Sequence, residues 1–276
     1  MTRTPYRLNR EWLGEARLSS FVDGRLGLCL ALAFGLSLAS ASAQSAGAAP
    51  PSALETLLVW LPFILKGFVL NLVMSVFAMV LATFCGIGLG LMQISLLWPV
   101  RTSSRFVTHL LRNSPWIVIL FIVMYMLPAE IRMPGGAKVA IPDWIKATVA
   151  FALPVMGSIS EIVRGAVRSI PTGQWESAEG LAFTRGQTLR LIILPQCVRR
   201  AIPPWMNWYA LLTLSTPMAS IFSVHEAVSN AQAAMEAAGA RPELLFPFYL
   251  FLLCLFFAYI YPIALWTRRL ERKYAA

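Results

Sequence analysis

Residues 176–195 have the sequence Glu-Ser-Ala-Glu-Gly-Leu-Ala-Phe-Thr-Arg-Gly-Gln-Thr-Leu-Arg-Leu-Ile-Ile-Leu-Pro. The stretch contains many helix-forming residues and two arginines, although long apolar runs lie on both sides of it in the chain. It closes on Pro195, and helices usually end before a proline. The pattern predicts a segment between two membrane spans that presents short helices to a soluble partner.

The composition of the whole chain, like the flanking apolar runs, indicates a membrane protein. Hydrophobic residues make up 58% of the 276 residues and charged residues 13%, which is too little polar surface for a soluble domain. Four uncharged runs exceed the roughly 18 residues that a spanning helix needs. They lie at 26–54, 67–100, 201–224 and 244–267, and weaker candidates lie at 113–129 and 147–160. The sequence predicts an all-α integral membrane protein with several spans.

The distribution of basic residues predicts the orientation of the chain. Thirteen Lys and Arg fall within 101–112, 164–200 and 268–273, whereas the loops on the other side of the core spans carry five. Cytoplasmic loops of membrane proteins are enriched in Lys and Arg. The three segments are therefore assigned to the cytoplasm, which makes the C-terminus cytoplasmic. The net charge of +10 is explained by this topology and does not indicate nucleic-acid binding.

The N-terminal region has two interpretations. A 14-residue apolar core at 26–39, followed by Ala-Ser-Ala at 41–43, is typical of a signal peptide. The basic region before it is long and contains three acidic residues, so an uncleaved extra helix fits as well. Residues 1–53 are assigned to the tail, the signal-like or anchor helix and a linker. A short interfacial helix is predicted at 57–65, ahead of the first core span.

Small residues recur every four positions in the first core span. They are Ala78, Ala82, Gly86 and Gly90. Side chains at this spacing share one helix face, and small side chains allow close contact between membrane helices. The stripe predicts tight packing of this span against another helix.

Two residue pairs predict local contacts near the opening stretch. Glu161 and Arg164 are three residues apart on one predicted helix, where opposite charges form ion pairs. Thr184 and Gln187 have the spacing of a capping box, in which each side chain bonds the other residue's backbone N–H. A new helix is therefore predicted to begin at Thr184, with Pro195 limiting its length.

The opening stretch resembles a signature of permease subunits of ATP-binding cassette (ABC) importers. In that signature Glu-Ala-Ala is followed by three residues, Gly, nine residues and Ile-x-Leu-Pro. The residues in register here are Glu176, Ala178, Ile192, Leu194 and Pro195. The chain departs from the pattern at Ser177, which replaces Ala, and at Ala182, which replaces Gly. A turn with positive φ would then have to be formed without glycine.

Other stretches make the chain similar to the polar amino acid uptake family of these importers. Residues 160–176 resemble the approach to the signature loop, and Arg112-Asn113-Ser114-Pro115 resembles an Arg-Gly-Thr-Pro element that opens a span. The resemblance covers about 57–270, including a cytoplasmic coupling loop at 169–200. It implies a multi-pass permease of the bacterial inner membrane with five core transmembrane helices of the MetI-like type, beside the signal peptide or extra helix.

The resemblance also implies a function and a set of partners. The cargo would be polar amino acids or opine-like derivatives, and the partners would be ABC ATP-binding subunits, a second permease copy or paralogue, and an extracytoplasmic solute-binding protein. ATP and Mg²⁺ would bind to the partner ATPase, since this chain has no phosphate-binding Gly-x-x-x-x-Gly-Lys-Ser/Thr motif. The implied ATPase-coupling residues are Glu176, Ser177, Ala178, Leu181, Ala182, Phe183, Thr184, Gln187, Ile192, Leu194 and Pro195.

The fourth core span suggests a substrate path. It is rich in hydroxyl groups and contains Pro217, which should interrupt the helix midway. Interrupted helices form polar sites in transporters, although hydroxyls that bond their own backbone fit the same pattern. The candidate path residues are Asn71, Ser75, Asn113, Ser114, Ser215, Thr216 and Pro217. No full charge lies deep in a predicted span, so dipoles and hydroxyls would bind the cargo.

Two other classes of function fit less well. A membrane-embedded enzyme needs a cluster of catalytic side chains, and the spans contain none. Two histidines and four dispersed cysteines do not have the spacing of a metal site. A channel or secondary transporter for a small polar solute remains the alternative, although the internal repeat typical of such transporters is not evident.

Overall fold

The computed structural model describes residues 51–132 and 138–274, so the predicted signal or anchor helix lies outside the described residues. The chain is helical along most of the described ranges, because a backbone in a bilayer must satisfy its own hydrogen bonds. The helices are α1 (Ala53–Gln93), α2 (Trp98–Asn113), α3 (Trp116–Met126), α4 (Asp143–Arg168), α5 (Thr172–Gly180), α6 (Arg185–Gln187), α7 (Leu194–Ser215), α8 (Ala227–Ala237) and α9 (Leu245–Tyr274).

Shorter elements join these helices. A π-helical segment, Thr188–Ile193, connects α6 to α7 without a break, and 3₁₀ segments lie at Thr216–Phe222 and Pro242–Leu244. Strands β1 (Glu130–Arg132) and β2 (Lys138–Ala140) form an antiparallel hairpin between α3 and α4. Because α7 gives way to a 3₁₀ helix at Thr216, the predicted interruption at Pro217 is confirmed.

In the part of the chain that the structure describes, three helices are long and apolar enough to cross a membrane. They are Ala53–Gln93, Asp143–Arg168 and Pro242–Lys273. Helices α2 and α3 meet at 104° and add a fourth if they form one broken span. An all-helical membrane protein is therefore confirmed, and five core spans remain a prediction.

Helix α1 begins earlier than predicted. The short interfacial helix at 57–65 is wrong, because these residues belong to the 41-residue α1. Ser52 and Glu55 form a capping box at its start: Ser52 N–H donates to Glu55 Oε2 at 2.9 Å and Glu55 N–H to Ser52 Oγ at 3.3 Å. This reciprocal cap fixes the helix start upstream of the apolar run.

The described residues form two compact units. The smaller comprises 51–61 and 235–251, in which the Arg241 guanidinium donates to the carbonyl oxygen of Pro51 at 3.0 Å. The larger comprises 62–132, 138–234 and 252–274 and contains every candidate site residue.

In the larger unit, helix α4 packs tightly against α1. A Cβ on Gly86 would lie 2.8 Å from Ile159 Cβ, and one on Gly90 would lie 2.8 Å from the carbonyl oxygen of Ser160. Both distances are shorter than real Cβ contacts, so only glycine allows this approach. The predicted small-residue stripe is therefore confirmed as a helix-packing face.

Polar contacts reinforce this packing near the ends of α1 and α4. The Gln93 amide donates to Thr108 Oγ1 at 2.9 Å and to Ser160 Oγ at 3.0 Å, and all three residues are buried. Arg164 forms the predicted ion pair with Glu161, with Nε donating to Oε1 at 3.2 Å and Nη2 to Oε2. The contacts connect α1, α2 and α4 beside the signature loop.

Candidate functional site

The turn after α5 has the geometry that the signature glycine would provide. Ala182 adopts a left-handed conformation with φ of 58°. Its N–H donates to the carbonyl oxygen of Glu179 at 2.9 Å, and the N–H of Phe183 donates to that of Ala178 at 3.1 Å. These two bonds form a Schellman motif, which ends helices and favours glycine at the left-handed position. Alanine therefore occupies it with strain.

The next helical segment begins with the predicted capping box. Gln187 N–H donates to Thr184 Oγ1 at 3.4 Å, and Thr184 N–H donates to Gln187 Oε1 at 2.8 Å. The predicted end of this helix at Pro195 is wrong, because the π-helical segment Thr188–Ile193 leads directly into α7. A π-helical turn shifts the hydrogen-bond pattern by one residue and accommodates a proline that has no N–H.

The signature residues divide into an inward and an outward set. Ala178 is buried, and Phe183, Ile192 and Leu194 are half-buried. The exposed residues are Glu176, Ser177, Leu181, Ala182, Thr184, Gln187 and Pro195. Among these exposed residues Leu181 stands out, because it is large and apolar and yet 71% exposed to solvent. Leu181 lies at the Schellman turn, between α5 and α6.

Two arginines attach this loop to the membrane helices. The Arg185 guanidinium lies 5.9 Å from the ring centroid of Trp175, a cation–π distance, and donates to the carbonyl oxygen of Ile94 at 3.4 Å. Arg200 Nη1 donates to the carbonyl oxygen of Ser169 at 2.6 Å. The loop is thus tied to the residues that follow α1 and α4.

A buried apolar cluster packs the loop against the end of α4. Its buried members are Ala166, Val167, Ile170, Ile193 and Cys197. They come from the end of α4 and from the start of the long helical run that contains α7. A force applied at the exposed turn would therefore reach two long helices through packed side chains instead of being absorbed by a flexible linker.

A second cluster lies where the substrate path was predicted. The Asn71 amide donates to Thr216 Oγ1 and to Glu226 Oε2, each at 2.9 Å, and its Oδ1 accepts the N–H of Ala227 at 3.0 Å. Asn71, Thr216 and Glu226 are fully buried. The structure therefore brings two of the predicted path residues together, across a sequence separation of 145 residues.

The other predicted path residues do not bond to this cluster. Ser75 and Ser215 donate to the carbonyl oxygens of Leu72 and Leu211, each at 2.9 Å, within their own helices. Asn113 and Ser114 lie at the bend between α2 and α3. These hydroxyls follow the alternative of bonding to their own backbone.

Glu226 is the buried charge that the sequence did not predict. The residue follows the 3₁₀ segment, outside the predicted spans, yet its side chain is fully buried. Its carboxylate accepts the N–H groups of Val228 and Ser229 at 3.0 and 2.9 Å, at the start of α8. Burial raises the pKa of this carboxyl group, and the three N–H donors oppose that shift. An acidic residue ahead of the alanine-rich α8 was the available sequence signal.

The helical membrane architecture agrees with a family of membrane transport components. Residues 82–275 match the family described as binding-protein-dependent transport system inner membrane component. The chain belongs to this family, and its resemblance to ABC transporter permeases is confirmed. A permease of this family is a transport subunit.

Two relatives with named functions show which kinds of permease this chain is similar to. The chain is 31% identical over 214 residues to a Bacillus subtilis (strain 168) protein named "Probable amino-acid ABC transporter permease protein YckA", covering 78% of this chain and 90% of the relative. It is also 31% identical over 175 residues to the octopine transport system permease protein OccM of Rhizobium radiobacter, covering 61% of this chain and 70% of OccM. By their names, the first relative is a probable amino-acid ABC transporter permease and the second is an octopine permease.

A solved structure shows the same fold. A chain in the crystal structure of an amino acid ABC transporter with histidines aligns with a TM-score of 0.67 at 20% identity. The alignment covers 79% of this chain and 96% of that chain. The MetI-like architecture implied by the signature is thereby confirmed.

Proposed function

We propose that this chain forms the membrane-embedded half of an ABC importer for polar amino acids or opine-like derivatives. The importer would contain ATP-binding subunits, a second permease copy or paralogue, and an extracytoplasmic solute-binding protein. ATP hydrolysis would take place in the ATP-binding subunits. Residues 57–270 would form the permease domain, with the coupling loop and the C-terminus in the cytoplasm.

One observation carries this proposal: the signature loop holds an exposed leucine on a rigid turn. Leu181 is 71% exposed, and the acidic side chains of Glu176 and Glu179 are exposed beside it. A protruding apolar side chain fits a groove on a partner, and flanking carboxylates fit basic residues at the rim of that groove. The attachments of Arg185 and Arg200 supply the stiffness that transmission of motion requires.

The buried polar cluster supports a path for a polar cargo beside α7, the interrupted fourth core span. Asn71 holds together the first helix, the 3₁₀ segment at Thr216 and the start of α8. Irregular backbone is tolerated at membrane depth only where it is buried in protein or lines a wet cavity. We place the cargo path along the end of α7 at Ser215 and the 3₁₀ segment that begins with Thr216 and Pro217. The bend at Asn113 and Ser114 would be a further contact.

Uptake in cells tests the coupling assignment. Cells that contain the complete importer would be supplied with radiolabelled glutamine, glutamate, cystine or octopine. Leu181→Asp should lower uptake at least tenfold, because a buried charge at a docking surface is unfavourable by several kcal/mol. Membrane abundance of the variant should stay unchanged.

Val139→Asp is the matched control, because Val139 is an exposed apolar residue of the β-hairpin, at 47% exposure, outside the coupling loop. This variant should transport normally. Normal uptake by Leu181→Asp would refute the coupling role. Uptake that persists after ATP depletion and follows an ion gradient would instead favour a secondary transporter.

A further inference from the structure

An apolar groove of about 580 Å³ lies in the larger unit, between α1, α7 and α9. The side chains of Val76 and Val80 line it from α1. Ile202 and Met206 come from α7, and Ile263 and Leu270 from α9. The groove belongs to neither the coupling loop nor the Asn71 cluster.

The groove offers hydrocarbon contacts and little else. Three of its side chains, Trp205, Tyr209 and Trp266, have polar tips, and other side chains of the chain already bind the first two. Trp205 Nε1 donates to Thr83 Oγ1 at 2.8 Å, and the Tyr209 and Tyr259 hydroxyls lie 2.7 Å apart. A polar amino acid would lose its hydration here and find few groups to hydrogen-bond in return, so the groove is unsuited to the proposed cargo. A hydrocarbon chain has no hydrogen bonds with water to lose when it enters the groove.

The dimensions of the groove match part of one membrane leaflet. Ile202 and Tyr209 are separated by seven residues, as are Ile263 and Leu270. At 1.5 Å per helical residue each lining stretch is about 10 Å long. Half of the hydrocarbon core of a bilayer is about 15 Å thick. The groove therefore accommodates part of an acyl chain from one leaflet.

Basic residues lie at one end of this groove. Arg199 precedes Ile202 by three residues and Lys273 follows Leu270 by three, so each continues the groove-lining face of its helix by about one turn. Both side chains are exposed. The arrangement places positive charge where the headgroup of a lipid would lie if its acyl chain occupied the groove.

We propose that this groove binds one anionic phospholipid, with an acyl chain against Met206 and Leu270 and the phosphate beside Arg199 and Lys273. Apolar burial would hold the chain, and the basic pair would select an anionic over a zwitterionic headgroup. The lipid would fill the space between α1, α7 and α9 and stabilise their packing.

Native mass spectrometry of the purified permease tests this site. The protein would be incubated in detergent with dioleoyl phosphatidylglycerol or dioleoyl phosphatidylcholine, and bound lipid would be counted. The wild type should retain one phosphatidylglycerol. Met206→Trp, which fills the groove, should lower occupancy about tenfold, because it displaces about two methylene contacts. Arg199→Gln and Lys273→Gln should each lower the preference for phosphatidylglycerol about fivefold.

Matched controls separate the groove from the rest of the surface. Leu211→Trp changes an exposed residue of α7 that does not line the groove, and Arg272→Gln removes a neighbouring positive charge from another face of α9. Both should retain phosphatidylglycerol as the wild type does. If Met206→Trp fails to fold, Val80→Phe fills the same groove from α1.

Three outcomes of the mass spectrometry would overturn the proposal. They are equal retention of the two lipids, no retained lipid, and retention unaffected by the groove-filling variants. A disulfide between two Met206→Cys permeases would also overturn it, since a second copy would then occupy the groove.

Discussion

The side-chain amide of Asn71 donates to Glu226 Oε2 at 2.9 Å, joining residues 155 positions apart in the chain. The same amide bonds Thr216 Oγ1 and the N–H of Ala227. One side chain thus fixes α1, the 3₁₀ segment and the start of α8 relative to one another. If these three elements change position during transport, they must either move together or break these hydrogen bonds.

Asn71→Leu should destabilise the protein by about 3 kcal/mol. The variant leaves the Glu226 carboxylate and the Ala227 N–H with fewer partners, and an unsatisfied buried polar group costs about 1–3 kcal/mol. Thermal unfolding in detergent, followed by tryptophan fluorescence, measures the change. Ser75→Ala is the control, because the Ser75 hydroxyl donates to the carbonyl oxygen of Leu72 in the same helix and has no other partner among residues 51–132 and 138–274. Equal unfolding temperatures for the two variants would contradict the bridging role.

Glu226 should make stability depend on pH. Because burial raises the pKa of its carboxyl group in the folded state, its contribution is fully present below the ordinary pKa of about 4.3 and is lost as the pH rises through the raised value. The unfolding temperature should therefore fall over this window in the wild type and fall less in Glu226→Gln. Glu179→Gln, at an exposed position, should follow the wild type. Parallel profiles for all three proteins would exclude a titrating Glu226.

Ala182→Gly should stabilise the protein by about 1 kcal/mol. The left-handed conformation at φ of 58° strains an alanine and not a glycine. Ser177→Gly changes an exposed position inside α5 and should destabilise by up to about 1 kcal/mol, because glycine is a poor helix former. Chemical denaturation of both variants compares these opposite signs. A destabilised Ala182→Gly would show that the turn tolerates alanine without strain.

Gly90→Ala and Gly88→Ala should have opposite effects. A Cβ at Gly90 would lie 2.8 Å from the carbonyl oxygen of Ser160, whereas a Cβ at Gly88 meets no atom within 4 Å. We expect a loss of about 1–3 kcal/mol for Gly90→Ala from overpacking and a gain of up to about 1 kcal/mol for Gly88→Ala from helix propensity. Unfolding temperatures in detergent test this, and a similar shift in both variants would argue against the close contact of α1 and α4.

Local sequence rules predicted the features that depend on neighbouring residues. The capping box at Thr184, the Glu161–Arg164 ion pair and the interruption at Pro217 each follow from side chains a few residues apart. The need for a left-handed residue at Ala182 followed from the signature spacing.

Features that depend on distant partners were not predicted. The Glu226 carboxylate accepts a hydrogen bond from Asn71, far away in the sequence, and no local pattern identifies this partner. The continuation of helical structure past Pro195 depends on a π-helical segment whose widened turn has no clear sequence signal. The early start of α1 follows from the capping pair Ser52 and Glu55, which lies ahead of the apolar run.

The most direct test of the central claim is crosslinking from position 181. Leu181→Cys would be introduced into a chain whose native cysteines are replaced, and cells containing the complete importer would be treated with a bifunctional thiol reagent. The crosslinked partner should be a subunit with a nucleotide-binding motif, and an impermeant maleimide added outside intact cells should not label Cys at this position. Labelling from outside, or crosslinks only to proteins without a nucleotide-binding site, would contradict the proposed coupling of this loop to an ATPase.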